Sequence, residues 1–187
     1  MKFYQLLVAG VAAFALVSGG ALAESTKAEK RAEVRKASKK TLDDFYKADP
    51  KLKAVVTKSP GYATFTTFGI SFLIGGQGGT GLAHDRKTGR DTFMDMAQAS
   101  AGIQIGASQT QTLIVFKSEK ALKEFVDKGW EFGGGGGVQA GAAGKSVGPG
   151  AGENVIADAS YYTLTPNGLQ VGGAVAGTKF WKSKDLN

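Results

Sequence analysis

Few residues in this 187-residue chain are equipped for chemistry. It has one histidine, His84, and no cysteine, which removes thiolate nucleophiles, thiolate metal sites and disulfides. With one imidazole and no thiolate, a transition-metal site has almost no ligands to draw on. A hydrolytic triad needs a histidine held by a carboxylate and facing a nucleophile. Asp85 follows His84 directly, and on a strand neighbouring side chains point to opposite faces. No G-x-S-x-G elbow occurs in the sequence, so His84 reads as a surface residue at a strand end. Asp91 and Asp95 share one strand face at best, and no motif supports them as a glycosidase-type carboxylate pair. Gly76-Gln77-Gly78-Gly79-Thr80-Gly81 fits G-x-G-x-x-G. The dinucleotide fingerprint needs a helix to begin there, whereas Leu82-Ala83-His84 continues as a strand. Gly144-Lys145-Ser146 imitates the end of a phosphate-binding loop, but Gln139 stands where its first glycine belongs. The expectation is a non-catalytic protein with no cofactor and no metal.

The basic residues are the second chemical resource. Residues 24–60 hold 11 Lys and Arg against 6 Asp and Glu, and residues 61–187 hold 11 against 10. Nearly all the excess positive charge of the +7 chain therefore lies in the first of these segments. Lys27, Lys30, Arg31, Arg35, Lys36, Lys39 and Lys40 are the candidate contacts to lipid headgroups. A lysine or arginine near an anionic membrane surface contributes about 1 kcal/mol, so a few suffice for reversible adsorption. No aromatic residue interleaves them, unlike the stacking platforms of nucleic-acid binders, and nucleic acid is not an expected partner.

These residues need elements to hold them. Residues 24–60 contain no glycine, whereas 25 of the 28 glycines lie between Gly61 and Gly177. The first segment reads as a basic helical arm. Thr26 and Glu29 stand at capping-box spacing, and helix formers dominate up to Lys40. Ala28, Ala32, Leu42 and Tyr46 share a face with Phe45 at its edge, and Asp49-Pro50 ends or restarts the helix. A short second turn follows around Leu52, Val55 and Val56. Residues 61–187 read as a glycine-rich β body. Tyr62 to Thr66 and Ile103 to Ile105 alternate, and Leu113 to Phe116 is a buried run. Asp85 to Gly89 is a turn. One internal helix is capped by Ser118 and ended by Gly129. Strands resume at Val155-Ile156, at Tyr161 to Leu164 and from Leu169 to Trp181. Glycine at this density points to a bent sheet or to closely approaching backbones. The expected fold class is α+β, a strongly curved antiparallel sheet or barrel-like body with an N-terminal basic helix and one internal helix.

The first 23 residues carry a different instruction. Lys2 precedes an apolar run from Leu6 to Val17, and Ala21-Leu22-Ala23 forms an A-x-A site. That order is a cleavable signal peptide, and the run is too short for a membrane span. The expectation is export, cleavage after Ala23, and a periplasmic or secreted protein.

Gly102-Ile103-Gln104-Ile105-Gly106-Ala107, then Leu113 to Phe116, then a short helix ending at Gly129-Trp130, resemble the SYLF domain family, in particular its secreted bacterial branch, which is related to the Ysc84-type domain. Gly69 to Gly76 with Gly79 and Gly81 is similar to that family's glycine-rich hairpin, and Gly168 to Gly173 with Gly177-Thr178 is similar to its closing segment. The resemblance covers about residues 40–181. It implies a non-catalytic, lipid-binding α+β domain, of which eukaryotic members recognise phosphoinositides and some act with actin. This chain has Thr92 to Asp95 where those members carry a Trp-Ser-Pro element, and it lacks their aromatic tail. The first expectation is therefore binding of anionic phospholipid at the envelope membrane. The alternatives are a structural or adaptor role with an envelope protein partner, and a hydrolase with an unrecognised site.

Overall fold

In a computed structural model of the chain, residues 26–68, 76–99, 109–132, 158–171 and 178–187 are described. The expected signal segment, the expected strands at Ile103 to Ile105 and Val155-Ile156, the expected loop from Gly133 to Gly152, and residues 69–75 and 172–177 lie outside them.

The helices start and stop where local chemistry directs. In α1 (Lys27–Ala48) Thr26 Oγ1 accepts from the Glu29 N–H, and Glu29 accepts from the Thr26 N–H at 2.7 Å, a complete capping box. Asp49 is extended, Pro50 follows, and the short α2 (Lys51–Lys58) begins. In α3 (Glu119–Lys128) Ser118 Oγ accepts from the Ala121 N–H at 3.1 Å. Gly129, at φ +72°, ends α3, and a Cβ there would stand 2.1 Å from the Phe180 carbonyl oxygen, so only glycine lets the chain turn that tightly against its neighbour.

Among the described residues, eight strands form one antiparallel sheet. They are β1 (Gly61–Phe68), β2 (Gly76–Asp85), β3 (Arg90–Ala99), β4 (Gln109–Phe116), β5 (Trp130–Phe132), β6 (Ala159–Thr165), β7 (Gly168–Val171) and β8 (Thr178–Lys182), in the order β5-β8-β3-β2-β1-β4-β6-β7. The turn between β2 and β3 is fixed by the Asp85 carboxylate, which accepts from the N–H groups of Lys87 and Thr88. The sheet is strongly curved. Strands β5 and β6 stand first and seventh in the order, which in a flat sheet would separate them by about 29 Å at about 4.8 Å per strand. Instead the rings of Phe132 on β5 and Tyr161 on β6 lie 6.3 Å apart, so the sheet closes into a half-barrel around its contents.

Those contents are aromatic. Phe65, Phe116, Trp130, Phe132 and Phe180 point inward, and α3 adds Ala121, Leu122 and Phe125. Ring centroids fall between 4.7 Å for Phe65–Phe180 and 6.3 Å for Phe132–Tyr161, all tilted or edge-on, the arrangement ring quadrupoles favour. Strand β2 supplies the small residues Gly81 and Ala83 to this face. A Cβ on Gly81 would meet the Thr64 oxygen at 2.0 Å and the Phe65 ring at 2.5 Å.

The convex face carries α1 and α2. Phe45, Leu52 and Val56 bury against Leu113, Val115 and Tyr162, while Val34 joins Leu82, Phe93 and Leu186. The buried positions of α1 are Val34, Ser38, Thr41 and Phe45. This corrects the expected face, since Ala28 and Ala32 are exposed. The reason is a polar seam. Thr64 Oγ1 donates to Ser38 Oγ at 2.6 Å, and the Thr41 and Thr66 hydroxyls lie 3.2 Å apart. Small hydroxyl residues let the helix settle close on the sheet while satisfying one another.

Candidate functional site

Each candidate cation has a definite setting on α1. Lys27 donates to the Asn187 backbone oxygen, and Arg31 Nε donates to the Leu186 carbonyl at 2.6 Å. Arg35 Nε donates to Asp91 Oδ2 at 2.8 Å. The guanidinium carbons of Arg31 and Arg35 stand 5.6 and 5.1 Å from the Phe93 ring centroid. Lys40 reaches Asp44 at 2.6 Å, one helical turn on. Lys36 and Lys39 are exposed, and Lys30 is half-buried. Thus Lys27, Arg31, Arg35 and Lys40 engage groups of the protein itself, Lys30 also has a partner, and Lys36 and Lys39 are left facing water.

A tail built from residues 183–187 accounts for much of this. Beyond the end of β8, the Asn187 side chain accepts from the Phe93 N–H at 3.0 Å and donates to the Phe93 carbonyl at 2.7 Å. It therefore imitates the next residue of a strand. Leu186 buries beside Val34, Leu82 and Phe93, and Arg31 closes over its carbonyl. The N-terminal half of α1 is held to the sheet through this tail. The sequence shows no signal for it, because an Asn that substitutes for a peptide group is defined only by long-range register.

Sequence reasoning also missed the partner of His84. Antiparallel pairing sets His84 opposite Asp91, and Nδ1 lies 2.8 Å from Asp91 Oδ1. The carboxylate that orients the ring comes from across the hairpin, where adjacent Asp85 was the residue considered. Tyr62 stacks on the ring at 5.2 Å. Burial alone pushes the Asp91 carboxyl up, but hydrogen bonds from Arg35 and His84 outweigh it and hold it below the usual carboxylate range. Because Arg35 of α1 holds the same Asp91 carboxylate, the pair links α1 to the β2–β3 hairpin. Asp95 does lie on the same face as Asp91. Four strand residues span about 13 Å, wider than the windows for retaining or inverting carboxylate pairs.

A cleft of about 310 Å³ lies between the β2–β3 hairpin and α3. Its charges largely answer one another. Lys87 pairs with Glu119 at 3.1 Å and Lys123 with Asp127 at 2.9 Å. Arg90 and Lys182 add positive charge at its rim, and Asp85 negative charge. Among the described residues no cluster of His, Asp and Glu could hold a metal ion, and no helix is long and apolar enough to cross a membrane.

Comparison with known proteins gives two findings. The chain is 29% identical over 167 residues to beta cell expansion factor A of Aeromonas veronii, an alignment spanning 86% of this chain and 60% of that relative. Residues 97–187 match the family model Ysc84, described as Las17-binding protein actin regulator. That span includes the Gly102 to Ala107, Leu113 to Phe116 and Gly168 to Thr178 segments of the sequence resemblance but not its Gly69 to Gly81 hairpin, and it supports a domain role of the lipid- or actin-binding type. Residues 97–187 thus match the Ysc84 (SYLF) family model, the family that their glycine-punctuated motifs resemble.

Proposed function

We propose that this protein binds anionic phospholipid at an envelope membrane without catalysing a reaction, after export and cleavage behind Ala23. The observation that carries this reading is the placement of charge. The excess of cations in residues 24–60 is displayed by two helices on the convex face of a sheet whose concave face is filled by its own aromatic residues. A ligand therefore meets the outside of the domain first, and there it meets lysines. Lys36 and Lys39 of α1, with Lys51, Lys53 and Lys58 of α2, face solvent. At about 1 kcal/mol per cation near an anionic surface, three or four give adsorption that is useful and reversible.

A second reading has its own support. The matched family is described by a protein partner, which fits an adaptor of the envelope that touches lipid incidentally. Vesicle co-sedimentation across mixtures of phosphatidylglycerol and phosphatidylcholine separates the two. The lipid reading expects the bound fraction to climb with the anionic fraction. Equal binding to purely zwitterionic vesicles, or none to either, overturns it in favour of the adaptor.

A further inference from the structure

The cations read from the sequence are only part of the positive surface. Helix α2, KLKAVVTK, contains no acidic residue. Its Lys51, Lys53 and Lys58 are exposed, and none of them is in an ion pair among the described residues. The helix is anchored by Leu52 and Val56, yet it leaves Val55 41% exposed. On the same convex side runs the edge strand β7, which packs against α1, and its Val171 is 61% exposed. Val171 is the register partner of Tyr162, and paired residues point to the same face. Tyr162 belongs to the cluster that α2 covers, so Val171 projects from the convex side at that cluster's margin. Two of the three large exposed hydrophobics among the described residues therefore lie on the convex side, on or at the margin of the cluster that α1 and α2 cover. The third, Trp181, stands on β8, four strands away from β4 in the sheet order.

We propose that α2, with Val55 on its outer side and Val171 on the same convex side, is the surface that seats on an anionic bilayer. This deepens the lipid reading above and rests on it. The combination selects the occupant. Lysines without carboxylate partners complement lipid phosphates, and a small apolar patch among them matches the depth of the headgroup boundary. An apolar protein partner would leave those lysines desolvated and unanswered. The helix is already folded and docked through Leu52 and Val56, so binding need not order it. The N-terminal half of α1 differs, because Lys27, Arg31 and Arg35 are committed to the tail and to Asp91. Its cations strengthen the field, whereas α2 makes the contact.

The test uses the full mature chain and vesicles of equimolar phosphatidylglycerol and phosphatidylcholine. Two variants each lose three lysines: K51Q/K53Q/K58Q on α2, and K36Q/K39Q/K40Q on α1. Circular dichroism should first establish that both are folded. Each near-surface lysine is worth about fivefold in partitioning, so the α2 variant should bind roughly a hundredfold more weakly and the α1 variant less than about tenfold more weakly. In a Trp181→Phe background, Val55→Trp should shift its emission to the blue on binding and be quenched by brominated acyl chains. If the α1 variant shows the large loss while the α2 variant binds like the parent, the inference is overturned and the lipid reading stands. Quenching of Trp181 in the parent would move the contact to β8 and overturn it as well. A parent that ignores these vesicles overturns both.

Discussion

Gly81 gives the sharpest test of how this sheet is built. It lies on the concave side of β2, opposite Met94 in register and against β1. A Cβ added there would stand 2.0 Å from the Thr64 carbonyl oxygen and 2.5 Å from Cδ1 of Phe65. Neither obstacle can yield cheaply. The first is ladder backbone, and the second is a ring packed against Phe125 and Phe180. Gly81→Ala must therefore part the two strands or displace Phe65. Overpacking of a well-filled core costs about 1–3 kcal/mol, and with both obstacles rigid the expected loss is about 3 kcal/mol, a fall in Tm of roughly 6–12 °C for a domain this size. Gly78 is the control on the same strand, because nothing lies within 4 Å of its would-be Cβ and its φ is not positive. Gly78→Ala should be neutral or raise stability by about 0.4–1 kcal/mol through the unfolded chain. Urea unfolding of both variants, followed by near-ultraviolet circular dichroism of the aromatic core, measures the contrast. Equal midpoints would refute the claim that glycine serves close strand approach here.

Three further outcomes are expected. Asp91→Asn should cost about 1 kcal/mol at pH 7. Because the Asp91 carboxyl is held below its ordinary value, its contribution is present above the unfolded pKa and is lost as pH falls through the folded one. The stability gap between parent and variant should therefore close below about pH 4, and a gap unchanged between pH 7 and pH 3 in urea titrations would contradict the linkage. Asn187→Ala should cost about 1 kcal/mol by leaving the Phe93 N–H without its partner, while the Phe93 carbonyl keeps the Ser183 N–H, read from the same titrations. Edman sequencing of protein recovered from the envelope should begin Glu24-Ser25-Thr26, and an intact Met1 would argue against export.

Local chemistry was legible in the sequence, and long-range register was not. The capping box at Thr26, the break at Asp49-Pro50, the caps Ser118 and Gly129 and the Asp85 turn each depend on residues within five positions, and each stands as expected. The buried face of α1 was misplaced because Ser38 and Thr41 read as polar until Thr64 and Thr66 answer them from 25 or more residues away. The three-residue β5 is too short to show a period, and its pairing with β8 joins segments almost fifty residues apart. For the same reason Asp91 was not visible as the partner of His84. Among the seven candidate cations, type and segment were legible, but their partners were not. Arg31 and Arg35 sit over Phe93 and hold the tail and Asp91. Substituting them tests the docking of α1 as much as any ligand.

Salt dependence of vesicle binding by the unaltered chain bears most directly on the central claim. Exposed cations on a convex face attract a membrane through a field that salt screens, with a Debye length near 10 Å at 0.1 M and about 3 Å at 1 M. In a flotation experiment with phosphatidylglycerol vesicles, the protein should rise with the lipid at 0.1 M salt and remain behind at 1 M. Protein that floats equally at both, or equally with phosphatidylcholine alone, would contradict electrostatic recognition of anionic lipid.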